Sequence, residues 1–412
     1  MAVTITGDGV VTGLAVGGLP DGVIDNGCMA DDAIDSAELA DGAFPLSFRN
    51  LIANGACNVA QRATSYTGDV QGYQSVDRYS IFWAGADAII ERHQETLTSS
   101  DTGPWEKGFK HAYKLVNGNQ SGGAGAADYV EFQTALEGKD VCNSGWVPTD
   151  TNSKLTLSYW AKSSVAQTFY MRFRVFLAST QYEYTYSVAL SANTWTKVTK
   201  TIPGNSNFST IISTNEKGFF HSWSLFHGTD KTNNKTLDEW AVKDNANKSP
   251  DCTSTWWTTD DATFHVTGVQ LEVGDTATPF EHRTYADELA RCQRYCQRVF
   301  LRAYSATAQA FSDSTCAAPV WLRTEMRAAP TVTLPNTTSA NSAGQIAFTN
   351  HTGSWPATHG TMSADYITKS KFTVSGTGFT SASFGAAGNA VQLYATAHAD
   401  GTNASILCSA DI

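Results

Sequence analysis

In residues 129–133 and 167–177, aromatic and charged side chains alternate with apolar ones. Tyr129, Glu131 and Gln133 share one phase, as do Tyr170, Arg172, Arg174 and Phe176, while Phe169, Met171, Phe173, Val175 and Leu177 hold the other. Trp160 takes the same outward phase in its own run, against Leu155, Leu157 and Tyr159. A period of two places such residues on one side of a strand. Aromatic rings stack on sugar rings, and Arg, Glu and Gln direct hydrogen bonds at hydroxyls. These eight residues form a candidate glycan groove; the alternative is that they cover the sheet or meet another subunit.

No catalytic motif accompanies them. The chain has no GxSxG elbow, HExxH, Walker loop or GxGxxG opening a helix. A glycosidase needs two carboxylates flanking the scissile bond, and no motif singles out such a pair. The nine histidines lack ligand spacing, and the eight cysteines include no CxxC pair. Cys292 and Cys296 read as small buried apolar residues. The expectation is a protein that is not an enzyme and carries no metal and no cofactor.

The elements that must position the groove are strands. Alternating runs at Leu155–Ser164, Phe169–Leu177, Thr194–Gly204, Gly218–Gly228 and Thr263–Gly274 are separated by Gly, Asn, Ser and Asp. This pattern predicts an antiparallel sandwich of the jelly-roll kind. In the last run the inward phase shifts from Phe264 and Val266 to Val269, Leu271 and Val273, which places a bulge at Gly268. Tyr182, Tyr184 and Tyr186 share a phase with Val188 and Leu190 and are expected to face the core. Trp256 and Trp257, if extended, point to opposite sides, so at most one is expected in the core.

Residues 284–300 predict the one helix. Thr284 can cap it, acids occupy its first turn, and Tyr285, Leu289, Cys292, Cys296 and Val299 recur at 4-3-4-3 spacing along a contact face. That face suits either a short coiled coil or packing on its own domain. Beyond it, residues 301–412 read as short strands of a second, smaller β-sandwich, the place where a receptor-binding tip would lie.

The N-terminus follows a different period. Leu14, Leu19, Ile24, Met29, Ile34, Leu39 and Phe44 stand five residues apart without a slip. Neither a helix at 3.6 nor a strand at 2 puts this stripe on one side. One copy cannot bury it alone, so several chains stacking their rungs around an axis is the economical solution, here expected to be a homotrimeric stalk. A disordered acidic linker is the alternative. Residues 1–48 hold eight acids and no Lys or Arg, whereas the whole chain has a net charge of −11. The remainder is nearly balanced, without the basic patch that nucleic-acid binding needs. No secretory leader or membrane span is visible, so synthesis in a cytoplasm is expected.

Several stretches together are similar to a known family. NLIANGACNVAQRATSYTG (Asn50–Gly68), VDRYSI (Val76–Ile81), LTLSYWAKSS (Leu155–Ser164), TWTKVTKTIPG (Thr194–Gly204), Trp240 and GVQLEVGDTATPFEHRTYADELARCQRYCQ (Gly268–Gln297) resemble a jelly-roll domain common in bacteriophage tail-fibre proteins. VWLRTEMRAAPTVTL (Val320–Leu334) resembles a distal stretch of the same proteins. The likeness covers about residues 45–300 and implies a non-catalytic, carbohydrate-binding-module-like domain in a virion. Where that family carries an acid and a large aromatic in its opening segment, Ala56-Cys57-Asn58-Val59 stands here. The expected organisation is an attachment stalk (1–44), a jelly roll (45–283), a helix (284–300) and a C-terminal β domain (301–412). The expected function is a tail fibre that contacts other virion proteins through its N-terminus and host-surface glycan or receptor through its β domains. A head-attached fibre or decoration protein, and a tailspike glycan hydrolase, are the alternatives.

Overall fold

Two short strands, β1 (Thr4–Ile5) and β2 (Val11–Thr12), pair antiparallel near the N-terminus. They belong to a compact unit of residues 1–46, and a second unit spans 47–412. The computed structural model describes residues 4–5, 11–12, 49–211, 213–301, 306–312, 314–335, 346–350, 361–378, 390–395 and 404–412. Leu14, Leu19, Ile24, Met29, Ile34, Leu39 and Phe44 lie outside the described residues, and with them the stalk expectation.

The second unit is mainly β. Its first part uses β3 (Ser65–Tyr66), β4 (Ser80–Ala84), β5 (Glu91–Thr96), β6 (His111–Val116), β7 (Tyr129–Glu137), a short helix α1 (Gly138–Cys142), β8 (Lys154–Ser163), β9 (Gln167–Phe176), β10 (Gln181–Leu190), β11 (Thr196–Pro203), β12 (Lys217–His227), β13 (Trp240–Val242), a helical turn α2 (Thr255–Thr258) and β14 (Thr263–Val273). The strands form two six-stranded antiparallel sheets. The front sheet runs β13-β10-β9-β12-β7-β4, and the back sheet β11-β8-β14-β6-β5-β3.

Alternation sends Phe169, Met171, Phe173 and Val175 of the front sheet, and Leu155, Leu157, Tyr159 and Ala161 of the back sheet, into one buried core. Aromatic rings fill its middle: Phe132 and Trp223 stack at 4.8 Å, with Tyr159 edge-on to Trp223 at 5.6 Å. Each such side chain contributes roughly 1.5–3 kcal/mol by burial. Tyr184 and Tyr186 are buried as their phase predicts. The register of β14 on β8 slips between Thr267 and Gln270, so the bulge at Gly268 is real. Trp256 and Trp257 depart from expectation, because both are 0% exposed. The backbone is helical there rather than extended, and a helical turn turns both rings inward.

The helix α3 (Tyr285–Gln293) begins as expected, with the Thr284 side chain accepting from the Asp287 amide. It ends earlier than 300. Residues Cys296–Phe300 are instead a strand, β15, paired with the terminal strand of the chain. The 4-3-4-3 spacing therefore straddled two kinds of element: Tyr285 is 60% exposed, Leu289 is half-buried, Cys292 is buried in the helix, and Cys296 and Val299 belong to the strand. Val299 and Phe300 suit a strand, and a partner remote in sequence supplied the ladder that displaced the helix.

The C-terminal part adds β16 (Ala306–Ala310), β17 (Thr315–Trp321), β18 (Thr331–Thr333), β19 (Ile346–Asn350), β20 (Thr361–Asp365), β21 (Lys371–Thr377), β22 (Ala390–Ala395) and β23 (Ser405–Ser409). They make a three-stranded sheet, β15-β23-β18, and a six-stranded sheet, β19-β22-β16-β17-β21-β20, around a separate core that includes Phe348, Phe372, Leu393 and Ile406. The chain end docks on the first sandwich. Arg62 pairs with Asp411, and Arg327 donates to the carbonyls of Asn215, Ala410 and Asp411 at 2.6–2.8 Å.

Candidate functional site

Seven of the eight candidate groove residues share the outer face of the front sheet. In register, Tyr170, Arg172 and Arg174 of β9 lie beside Ser224, Ser222 and Phe220 of β12. Ser224 and Ser222 in turn face Glu131 and Gln133 of β7, while Phe176 ends β9 and Tyr129 begins β7. The charged members are occupied by one another. Arg172 pairs with Glu131 and, at 2.6 Å, with Glu183, and Arg174 donates through Nε to the same Glu183 oxygen at 2.8 Å.

The segment following β12 folds over this cluster. Thr185 Oγ1 donates to the Lys248 carbonyl at 3.0 Å, Lys248 Nζ lies 3.4 Å from Glu131, and the His227 ring meets Ser249 Oγ at 2.9 Å. Arg172 and Glu183 are consequently 0% exposed. Burial pushes the Glu131 carboxyl up, but Arg172, His227 and Lys248 outweigh it and hold it well below the usual carboxylate range. Burial also lowers the His227 imidazole to about 4, so it is neutral near pH 7. The geometry is that of a closed ion-pair network. Of the candidates on this face, Tyr129, Glu131, Tyr170, Arg174 and Phe176 keep partial exposure, while Gln133 and Arg172 are buried.

Trp160 stands apart. Its strand, β8, belongs to the back sheet, so its ring lies on the opposite outer face, across the whole sandwich from Tyr170. There it borders a cleft of about 420 Å³. The floor is Phe109, which packs under the bulge: Gly268 has φ +65°, and a Cβ there would meet the Phe109 ring at 2.6 Å. One wall is Trp160, approached closely by the backbone at Gly103, where φ is +97° and a Cβ would sit 2.7 Å from the indole. The other wall is the segment Ala277–His282. Phe280 meets Phe109 edge-on at 4.8 Å, and the His282 ring lies 5.1 Å from Phe109.

Polar groups of β14 set that segment in place. Glu272 accepts from the Thr278 amide at 2.9 Å and its hydroxyl at 2.6 Å, and Gln270 Oε1 accepts from the Glu281 amide at 2.8 Å. His282 Nε2 donates to the Lys107 carbonyl at 2.9 Å, tying the segment to a 3₁₀ turn, Trp105–Lys107. The rim carries Lys107 and Lys197, both exposed. Asp101 nearby is already engaged, by Lys162 and by Trp195 Nε1, each at 2.9 Å. Burial would raise its carboxyl, yet these partners hold it at about 2.

Phe109, Phe280, His282, Lys107 and Lys197 were not singled out from sequence. They come from three segments remote along the chain, and only the Gly268 phase shift marked the place where those segments meet. Among the described residues, no group of three or more His, Cys, Asp or Glu side chains could hold a metal ion.

No protein-family model and no curated protein matches the chain. Among solved structures it is similar to the enzymatically active domain of tailspike protein 4 of bacteriophage CBA120, at 9% identity over 55% of this chain and 21% of that one, TM-score 0.29. It is also similar to the family 11 carbohydrate-binding module of a cellulosomal cellulase of Clostridium thermocellum, at 8% identity over 53% of this chain and 97% of that module, TM-score 0.25. A family 16 carbohydrate-binding module aligns at 11% identity over 46% of this chain and 89% of the module, TM-score 0.22.

Proposed function

We propose that this chain is a non-catalytic fibre protein of a bacteriophage virion, anchored through its N-terminal repeat and binding host-surface glycan. The observation that carries the glycan reading is the open cleft at Trp160. Aromatic side chains line it beside the hydroxyls of Ser158 and Thr278, the combination that stacks on a sugar ring and bonds its hydroxyls. Among the described residues no Asp or Glu lines the cleft, which favours binding over glycosidic cleavage there, since hydrolysis needs a pair of carboxylates. The seven-rung apolar repeat favours a homotrimer, because a single copy has nothing against which to bury the stripe.

A glycan array probed with the full-length protein tests the reading. Retention of host-surface polysaccharide is expected, with Trp160→Ala weakening it about ten-fold while leaving the melting temperature within a few degrees. Wild-type retention unaffected by Trp160→Ala would move the site elsewhere. Intact polysaccharide after prolonged incubation is the expected outcome for a non-catalytic protein; released oligosaccharide would make it a hydrolase.

A further inference from the structure

We infer that the Trp160 cleft selects acidic saccharides, sugar rings bearing a carboxylate, which Lys107 and Lys197 receive at its rim. The inference rests on the glycan reading above and specifies its ligand class. It starts from the balance of charge around the cleft. Among the described residues, those lining it include two lysines and a histidine, but neither Asp nor Glu. Among the described residues, neither lysine ammonium has an ion-pair or hydrogen-bond partner.

The carboxylates nearest in sequence to the cleft walls are taken up by other donors. Asp101 is held by Lys162 and Trp195, Glu272 by Thr278 and Gln270, and Glu281 by the Asn50 amide and Arg283. Glu106, beside Lys107, is exposed and outside the lining. His282 presents Nε2 to the Lys107 carbonyl, which fixes the turn that carries Lys107. Lys197 lies directly across the β8–β11 ladder from Trp160, on the same face of the back sheet. An aromatic wall with one cation beside it and another on the facing rim suits a ring that is apolar on one face and negative at one edge. A neutral sugar would leave both ammonium groups without a partner, and a simple anion would leave the rings uncovered.

Titration calorimetry of the full-length protein with matched neutral and hexuronate oligosaccharides tests this at low and at 0.5 M salt. Hexuronates are expected to bind at least ten-fold more tightly than neutral oligomers at low salt, with the preference shrinking at high salt. The double variant Lys107→Gln/Lys197→Gln should bring hexuronate affinity down to that of the neutral oligomers, with the melting temperature unchanged. Neutral oligomers binding equally well or better, with loss on Trp160→Ala, would overturn the inference and leave the glycan reading standing. Binding of neither series would overturn both. A preference that survives the double variant would overturn the assignment to these lysines.

Discussion

Arg172 shows how a residue that reads as a ligand contact becomes a structural one. Its guanidinium is fully buried between Glu131 and Glu183, so truncation would strand two carboxylates out of water. Arg172→Ala is expected to destabilise the first sandwich by about 3–5 kcal/mol, measurable by urea unfolding. His227, hydrogen-bonded to Ser249 and close to Glu131, gives the same cluster a pH signature. Its folded pKa of about 4 lies below its ordinary 6.5. Between those values the unfolded chain binds a proton that the folded chain does not, so this group removes stability as pH falls from 6.5 to 4. Glu131 acts in the same direction. Its depressed pKa contributes stability above the usual carboxylate value, lost as pH falls through the folded value. Asp77, raised by burial to about 6, acts oppositely, since the folded state holds its proton where the unfolded state has released it. Comparison with His227→Gln isolates the histidine: the variant should lose less stability than wild type between pH 7 and 5. Equal losses would show that His227 does not titrate as its burial requires. Gly268→Ala is expected to cost more than the roughly 1 kcal/mol of a positive φ, because the new methyl also strikes Phe109. Thermal unfolding would measure it.

At the scale of elements, the stretches Asn50–Gly68, Val76–Ile81 and Gly268–Gln297 meet in one buried polar junction. Asn54 donates to the carbonyls of Val59 and Asp77 at 2.8 Å, and its amide donates to Glu288 at 2.5 Å. Gln61 links Asp77 to the Cys296 carbonyl, and Arg78 lies over the Tyr295 ring at 3.4 Å. The opening segment, the turn before β4, and α3 with the residues that follow it are thereby fastened together. The terminal strand β23 extends the fastening to the second sandwich. Removing residues 405–412 is expected to expose β15 and β18 and to leave Arg62 and Arg327 short of partners. Hydrogen exchange should then rise in β15 and β18 first. Protection unchanged in those strands would show that they hold without β23. Arg327→Ala alone, removing three charge-assisted bonds to carbonyls, is expected to cost about 2 kcal/mol or more.

For the whole molecule, charge and periodicity separate two kinds of sequence. Acids concentrate in the first 48 residues, while the remaining residues are close to neutral. Under the proposed trimer, sedimentation of the intact protein should give three copies, and deletion of residues 1–44 should give a monomer. An unchanged assembly would place the contacts in the β domains. A particle reconstruction with Met1–Phe44 at the tail would fit the proposed fibre role, whereas density on the capsid would favour a decoration protein.

Alternation, glycine placement and capping are local, and for that reason they were legible in the order of residues. They revealed the antiparallel sandwich, the inward phase of Phe169–Val175, the bulge at Gly268 and the Thr284 cap. Which sheet a strand joins is not local. Trp160 and Tyr170 have the same phase, yet their strands belong to opposite sheets, and only the folded chain separates them. The helix expected to run to Phe300 stops at Gln293 because β23, more than a hundred residues later, offers Cys296–Phe300 a ladder. The closed network and the open cleft were likewise decided by tertiary packing. The segment after β12 buried Arg172 beneath it, and the bulge brought Phe109, Trp160 and Phe280 around one space.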